Sequence, residues 1–395
     1  MDPELLFGFV VFLLPVAAFS GWIIGRKEKH AKNGANAGAT GMSPDYFKGL
    51  NYLLNDRPDK AIEVFIKVLE VESETVETHL ALGNLFRRRG EVDRAIRIHQ
   101  NLVARPTLDN EQRSLALLEL GLDYMRSGLL DRAESLFKEL LETKMFEKPA
   151  LRNLVDIFQQ EQDWDNALQY ITRYENATGE DQRAIRAHFY CEKAEIALNK
   201  REEDKARQML ASALKQDRKC VRASLMLATI AASKGAYKES NAALKKIENQ
   251  DIDFLPEAIS ALVKNYHALG DVDGLARYLK KLSELHSGIT PILVLAELAA
   301  DSEEFDKARQ YIIEELRTRP TVRGIDRLIE YLLIDASGEA KENLSLLKET
   351  TSRLVEEKKV YKCGNCGFTG RSLHWQCPGC KSWNSVKPIY GIEGE

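Results

Sequence analysis

The sequence is sparing with most features that mark a functional class. Six cysteines in 395 residues are too few for a secreted disulfide scaffold, and aromatic residues make up only 8%. Neither sign of charge dominates: 56 Lys and Arg stand against 60 Asp and Glu, and the net charge of −4 gives no reason to expect nucleic-acid binding. With 24 glycines and 11 prolines the chain is not collagen-like, and 44% hydrophobic residues exclude disorder over most of its length. One uncharged apolar run alone reaches membrane length, which excludes a polytopic membrane protein. There is no phosphate-binding glycine loop, no HExxH pair and no nucleophile elbow, so the chain is not expected to be an enzyme. Its length allows two or three ordinary domains, or a repeat array with small appendages.

The small net charge is a cancellation. Residues 1–42 carry three acids against four Lys/Arg and residues 358–395 carry two against six, which leaves −9 for residues 43–357. The apolar run is LLFGFVVFLLPVAAFSGWII at 5–24, long enough as a helix to cross roughly 30 Å of hydrocarbon. Asp2 and Glu4 precede it where a cleavable signal peptide would need positive charge, so residues 1–25 read as a transmembrane anchor. Arg26, Lys27, Lys29 and Lys32 follow it and keep that side cytoplasmic, with the N-terminus outside. Ala17, Gly21 and Gly25 form a small-residue face suited to packing on another membrane helix, although glycine is common in such helices anyway. Residues 26–42, rich in Gly and Ala, form a flexible tether.

From Ser43, with Pro44 at the first helical position, apolar residues recur at helical spacing and no strand pattern appears before residue 358. Gly49, Tyr52, Ala61 and Phe65 return as Gly83, Phe86 and Ala95, then as Gly121, Tyr124, Ala133 and Phe137. Further copies centre on Ala167, Ala206, Ser240, Leu275 and Ala308. Steps of 33 to 39 residues with these small residues resemble the tetratricopeptide repeat, plainest in the first three copies and the eighth. The pattern predicts an all-α solenoid of about eight helix pairs over 43–320, closed by capping helices over 321–357. A pair cannot bury its apolar face alone, so stacking is required.

Such arrays dock protein segments along the first helices of the pairs. In this register those helices present Tyr46, Leu50 and Leu53, then Asn84, Arg87 and Arg88, then Leu115, Leu118, Leu122 and Met125. Lys and Asn, which a groove for a C-terminal carboxylate would want, are absent at the Tyr46 and Leu50 positions, so an apolar partner surface or helix fits better. Any one of these leucines can equally be core. The helical histidines His79, His99, His188, His267 and His286 read as packing or surface, and Cys191 as a buried small hydrophobe, while Cys220 suggests nothing specific.

Residues 358–395 hold Cys363-x-x-Cys366 and Cys377-x-x-Cys380, two turns whose thiolates can converge on one metal ion in a four-cysteine site. Gly364, Gly367 and Gly379 are expected at positive φ, Pro378 stiffens the second turn, and Tyr361, Phe368, Trp375 and Trp383 are expected to pack the module. The knuckles resemble rubredoxin, which would use iron, but Lys381 stands where rubredoxin has glycine, and the short spacing suits a zinc ribbon equally. Four thiolates leave no open position for catalysis, and His374 is expected at the surface or beside the ligands.

An anchor, a tetratricopeptide array and a rubredoxin-type C-terminus together resemble the lipopolysaccharide assembly protein B family. HLALGNLFRRRGEVDRAIRIHQ at 79–100, RAHFYCE at 186–192 and CGFTGRSLHWQCPGCKSWNSVKPIYG at 366–391 carry the resemblance. It implies a single-pass inner-membrane adaptor with its repeats and metal domain in the cytoplasm. It further implies partnership with the membrane AAA+ protease FtsH and with the deacetylase that commits precursor to lipid A, and contact with other lipopolysaccharide assembly proteins. Two other readings are a rubredoxin-like electron carrier and a general scaffold for envelope enzymes without a role in proteolysis.

Overall fold

A computed structural model describes residues 44–395 apart from residues 56, 72–74, 286, 287, 393 and 395. The expected membrane helix at 5–24, with Ala17, Gly21 and Gly25, and the tether after it lie outside the described residues. Among the described residues no helix is long and apolar enough to cross a membrane.

Helices occur in pairs from Pro44 to Glu357. They are α1 (Pro44–Leu54) with α2 (Pro58–Val71), α3 (Val76–Arg88) with α4 (Val92–Val103), and α5 (Asn110–Ser127) with α6 (Leu130–Thr143). Next come α7 (Glu147–Gln160) with α8 (Trp164–Thr178), α9 (Arg183–Asn199) with α10 (Glu203–Gln216), and α11 (Val221–Ser233) with α12 (Tyr237–Lys245). A short α13 (Ile247–Gln250) and a 3-10 turn (Ile252–Phe254) lead into α14 (Leu255–Leu269) with α15 (Val272–Leu285), α16 (Thr290–Asp301) with α17 (Phe305–Thr318), and α18 (Val322–Leu333) with α19 (Gly338–Glu357). Contacts group the chain into two units, one ending at Asn153 and the other beginning at Leu154, a boundary inside α7.

The repeat residues lie where helices meet. Ala61, Ala95, Ala133, Ala167, Ala206, Ser240, Leu275 and Ala308 all fall in second helices and all are buried. In the first three pairs a glycine of the first helix sits under a ring of the second: Gly49 under Phe65, Gly83 under His99, Gly121 under Phe137. A Cβ on Gly49 or Gly121 would lie 2.6 Å from a phenyl carbon, so hydrogen is the only substituent that fits. Where the second pair has histidine in place of phenylalanine, the buried ring is matched by a buried acid. His99 Nδ1 lies 2.5 Å from Asp123 Oδ2, and Asp123 also accepts from Arg87 at 2.8 Å.

In seven of the pairs, from the second to the eighth, the turn holds one residue in the left-handed region. Gly90, Gly128, Gly235 and Gly270 supply it at φ between 68° and 82°. In three more pairs Gln162, Arg201 and Glu303 adopt the same conformation at φ of 58°, 61° and 62°. That explains why the motif thins between the third and eighth copies while the backbone geometry persists. The last pair is joined by polar contacts: α19 has no buried residue, and its Lys348, Thr351 and Ser352 all donate to Asp326 of α18, at 2.9, 2.8 and 2.9 Å.

After α19 come β1 (Tyr361–Cys363), β2 (Thr369–Gly370) and β3 (Val386–Pro388), an antiparallel sheet in the order β2-β1-β3 with Tyr361 opposite both Gly370 and Pro388. They are the only strands among the described residues, and all follow residue 358.

Candidate metal centre and its seat on the repeats

Strand β1 delivers Cys363 into a turn closed by the Cys363 N–H donating to the Phe368 carbonyl (2.7 Å) and by the Gly367 N–H donating to the Cys363 carbonyl (3.0 Å). The second knuckle repeats this arrangement, with the Cys377 N–H donating to the Ser382 carbonyl and the Lys381 N–H to the Cys377 carbonyl, both at 2.9 Å. Of the three glycines expected at positive φ, only Gly367 has it, at 77°. Gly364 and Gly379 do not, and the left-handed position of the second knuckle belongs to Lys381 at φ 60°. The two knuckles are equivalent in backbone, so the residue following each second cysteine, rather than the glycines within the turns, carries the constraint.

The four sulfurs converge. Cys363 and Cys380 are 3.8 Å apart, Cys366 and Cys377 are 3.6 Å apart, and all four lie within 4.8 Å of one another. A tetrahedral ion with sulfur ligands at about 2.3 Å would place them about 3.8 Å apart, so the set is able to hold one metal ion. Hydrogen bonds from the Ser382 hydroxyl and N–H, and from the Asn365 amide, pull the Cys380 thiol down to about 5. The Ser385 hydroxyl beside Cys363 lowers that thiol as well. For Cys366 the Phe368 N–H favours the thiolate, but burial and the three neighbouring thiols outweigh it and push the group up to about 11. Four sulfurs this close cannot all ionise without a cation, whereas a divalent ion removes that penalty. With four protein ligands the site is closed to substrate.

Two of the four aromatic residues expected to pack the module, Tyr361 and Phe368, do so, and the two tryptophans depart from expectation. The module's own core is small, made of Cys363, Cys377 and Val386 with Tyr361, Phe368 and Leu373 packed against it. Trp375 and Trp383 face the helices of the second unit instead. Trp383 stacks on His188 of α9 (5.1 Å between centroids, 22° between planes), meets Phe189 and Trp164 edge-on, and donates from Nε1 to Gln159 Oε1 at 2.8 Å. Trp375 stacks on Phe254 at 5.3 Å and lies 6.0 Å from His188 on another side. Around these rings, the Tyr361 hydroxyl donates to Glu257 (2.5 Å), Lys387 donates to Asp253 (2.8 Å), and the Tyr390 hydroxyl donates to the Asp253 carbonyl (2.6 Å). His188, expected as packing or surface, is buried between the two tryptophans, and burial first, then the Arg222 charge, pushes its imidazole down to about 3. His374 lies edge-on to Phe368, at 5.9 Å.

The residues expected to line a partner groove belong to the first unit. Tyr46, Leu50 and Leu53 are partly buried against the first core cluster, with Tyr46 tilted on Phe65 at 5.7 Å. Arg87 is held by Asn84 (2.7 Å), Glu119 (2.6 Å) and Asp123, so its charge is already matched inside the protein, whereas Arg88 is exposed. Leu118 is buried, and Leu115, Leu122 and Met125 are partly exposed. Two apolar residues of α1 outside that expected set, Phe47 and Leu54, are exposed at 51% and 87%. Their positions follow from the helical register, but sequence periodicity does not separate an exposed apolar residue from a core one.

Residues 361–388 match the rubredoxin metal binding domain family, and residues 78–114, 118–182 and 191–252 match tetratricopeptide repeat families. Among solved structures, a tetratricopeptide repeat protein from Parabacteroides merdae aligns at a TM-score of 0.32 and 16% identity, over 70% of this chain and 98% of that one. Lipopolysaccharide assembly protein B of Escherichia coli K12 is 38% identical over 392 residues, covering 99% of both chains. The protein of the same name from Haemophilus influenzae is 34% identical, again over 99% of both. With that identity along its whole length, and with both the repeats and the four-cysteine module matched, the chain belongs to the lipopolysaccharide assembly protein B family.

Proposed function

We propose that the chain is a non-enzymatic adaptor of the bacterial inner membrane that regulates lipopolysaccharide assembly. It is anchored through residues 5–24, with its repeats and metal module in the cytoplasm. Its repeats hold the deacetylase that commits precursor to lipid A close to the membrane protease FtsH, and other lipopolysaccharide assembly proteins dock on the same array. Tethering turns encounter into an intramolecular event, which raises engagement by orders of magnitude without strong individual contacts. The observation that carries this reading is the full-length likeness to proteins named for lipopolysaccharide assembly.

In the first unit Tyr46, Leu50, Leu53, Asn84, Arg88, Leu115, Leu122 and Met125 offer an apolar surface with polar edges to a client. Arg87 and Leu118 support it from within. Ala17, Gly21 and Gly25 pack the anchor against a membrane helix of the protease. Cys363, Cys366, Cys377 and Cys380 hold one ion, zinc or iron, which when bound supplies the folding energy of the module. The chain's own part is to fix the four sulfurs through the two knuckle turns and to present Trp375 and Trp383 to the repeats.

The decisive experiment is the half-life of the deacetylase in cells with and without this protein. Faster turnover in its presence is expected, and unchanged turnover would remove the adaptor reading. The rubredoxin-type sulfur set also favours a second reading, electron transfer through iron. Full activity of the protein loaded only with zinc would eliminate it.

A further inference from the structure

Two cysteines that the metal site does not use face each other inside the second unit. Cys191 lies in the middle of α9 and Cys220 is the N-cap residue of α11, the first helices of neighbouring pairs. They are 29 residues apart in sequence, yet their sulfurs are 3.8 Å apart. Cys191 is 0% and Cys220 4% exposed. A disulfide needs about 2.05 Å between sulfurs, so the gap closes by side-chain rotation and a small helix shift. The buried cluster they share is built largely of small side chains, among them Ala187, Ala194, Ala206, Ala213 and Ala223. The two sulfurs are also unequal. Either thiol is able to donate to the other, and the Ala223 N–H beside Cys220 favours the thiolate on that side. Beside them Arg222 adds positive charge, itself held by Glu192 at 2.7 Å and Glu195 at 2.6 Å.

We infer that Cys191 and Cys220 are a two-cysteine redox pair that hydrogen peroxide closes to an intramolecular disulfide across two neighbouring repeats. The Cys220 thiolate attacks one peroxide oxygen, the S–O bond forms as the O–O bond breaks, and the departing hydroxide takes a proton and leaves as water. Cys191 then gives up its thiol proton and attacks the sulfenic sulfur. The S–S bond forms as the S–O bond breaks, and the second hydroxide leaves as water. Two thiols lose two electrons and two protons, and one peroxide becomes two waters. Access to the buried sulfurs is set by opening of the first turn of α11, so the reaction is slower than oxidation of an exposed thiol. His188 and Phe189, which hold Trp383, precede Cys191 on the same helix. The cross-link therefore ties the seat of the metal module to the next repeat.

The test uses the full-length, zinc-loaded chain exposed to hydrogen peroxide, unfolded in an alkylating reagent and cut with trypsin without reduction. The expected product joins the peptide 187–193, AHFYCEK, to the peptide 220–222, CVR, with neither cysteine alkylated, and reductant separates the two. Cys191→Ser and Cys220→Ser must each abolish it. Recovery of both peptides fully alkylated, at exposures that already oxidise the knuckle cysteines, would overturn the inference. So would a product in which either cysteine is joined only to a second chain.

Discussion

Arg201 lies at the turn between α9 and α10 in the left-handed region, at φ 61°, and it is exposed. A side chain there pays a steric cost that glycine avoids, so Arg201→Gly should raise the stability of the second unit by about 1 kcal/mol, despite the entropy that glycine adds to the unfolded chain. Urea unfolding of the two proteins checks this, and a lower midpoint in the variant would contradict it. His188 makes the opposite kind of residue-scale demand. Its folded pKa of about 3 lies below the ordinary histidine value of about 6.5, so below pH 6.5 the unfolded chain binds a proton that the native one refuses. Stability is full above about 6.5 and falls by about 1.4 kcal/mol per pH unit as pH drops toward 3. Melting measured from pH 7.5 to 5 should show that slope, and His188→Phe, which keeps a ring between the tryptophans, should flatten it. Nothing in the residues around His188 in sequence announces this environment, because the rings that bury it come from Trp375 and Trp383.

At the scale of helices, small-residue spacing sets how closely a pair can approach. Gly121 of α5 sits 2.6 Å, measured from where a Cβ would be, from the Phe137 ring of α6. Gly121→Ala should cost about 1–3 kcal/mol, and combining it with Phe137→Leu should recover part of that loss. Thermal denaturation of the single and double variants is the check, and strict additivity would mean the two positions do not touch. The pairs themselves were legible because glycine, aromatic and alanine recur in the first three copies and the helical period continues beyond them, and all eight anchors proved buried. The turns were only partly legible. Gln162, Arg201 and Glu303 take up a conformation usually signalled by glycine, since packing of the two helices they join outweighs the local strain. At the second knuckle Lys381 conceals the same conformation, while Gly364 and Gly379 falsely suggested it.

Across the whole molecule the dependence runs one way, from the metal module onto the repeats of the second unit that seat it. The module's core is three buried residues, too few to order it alone, so an ion held by the four sulfurs and the seat on the repeats would supply the rest. Removing the metal with a chelator, or replacing Cys377 and Cys380 by Ser, should unfold residues 358–395 and leave the helical circular dichroism of the repeats in place. Loss of most of that helical signal would mean the repeats need the module to fold. Trp383→Ala should keep the metal but weaken docking by about 2–4 kcal/mol, seen as faster tryptic cleavage between α19 and β1. The amino-acid sequence alone determined the helix pairs and the four-sulfur knuckles, because both are written in residues a few positions apart and constrained by local geometry. Which aromatics pack inward and which dock, where His188 resides, and that Cys191 meets Cys220 were decided only by the tertiary structure. Those contacts join residues 29 to more than 200 positions apart, and no local pattern encodes a partner that stacking alone brings near.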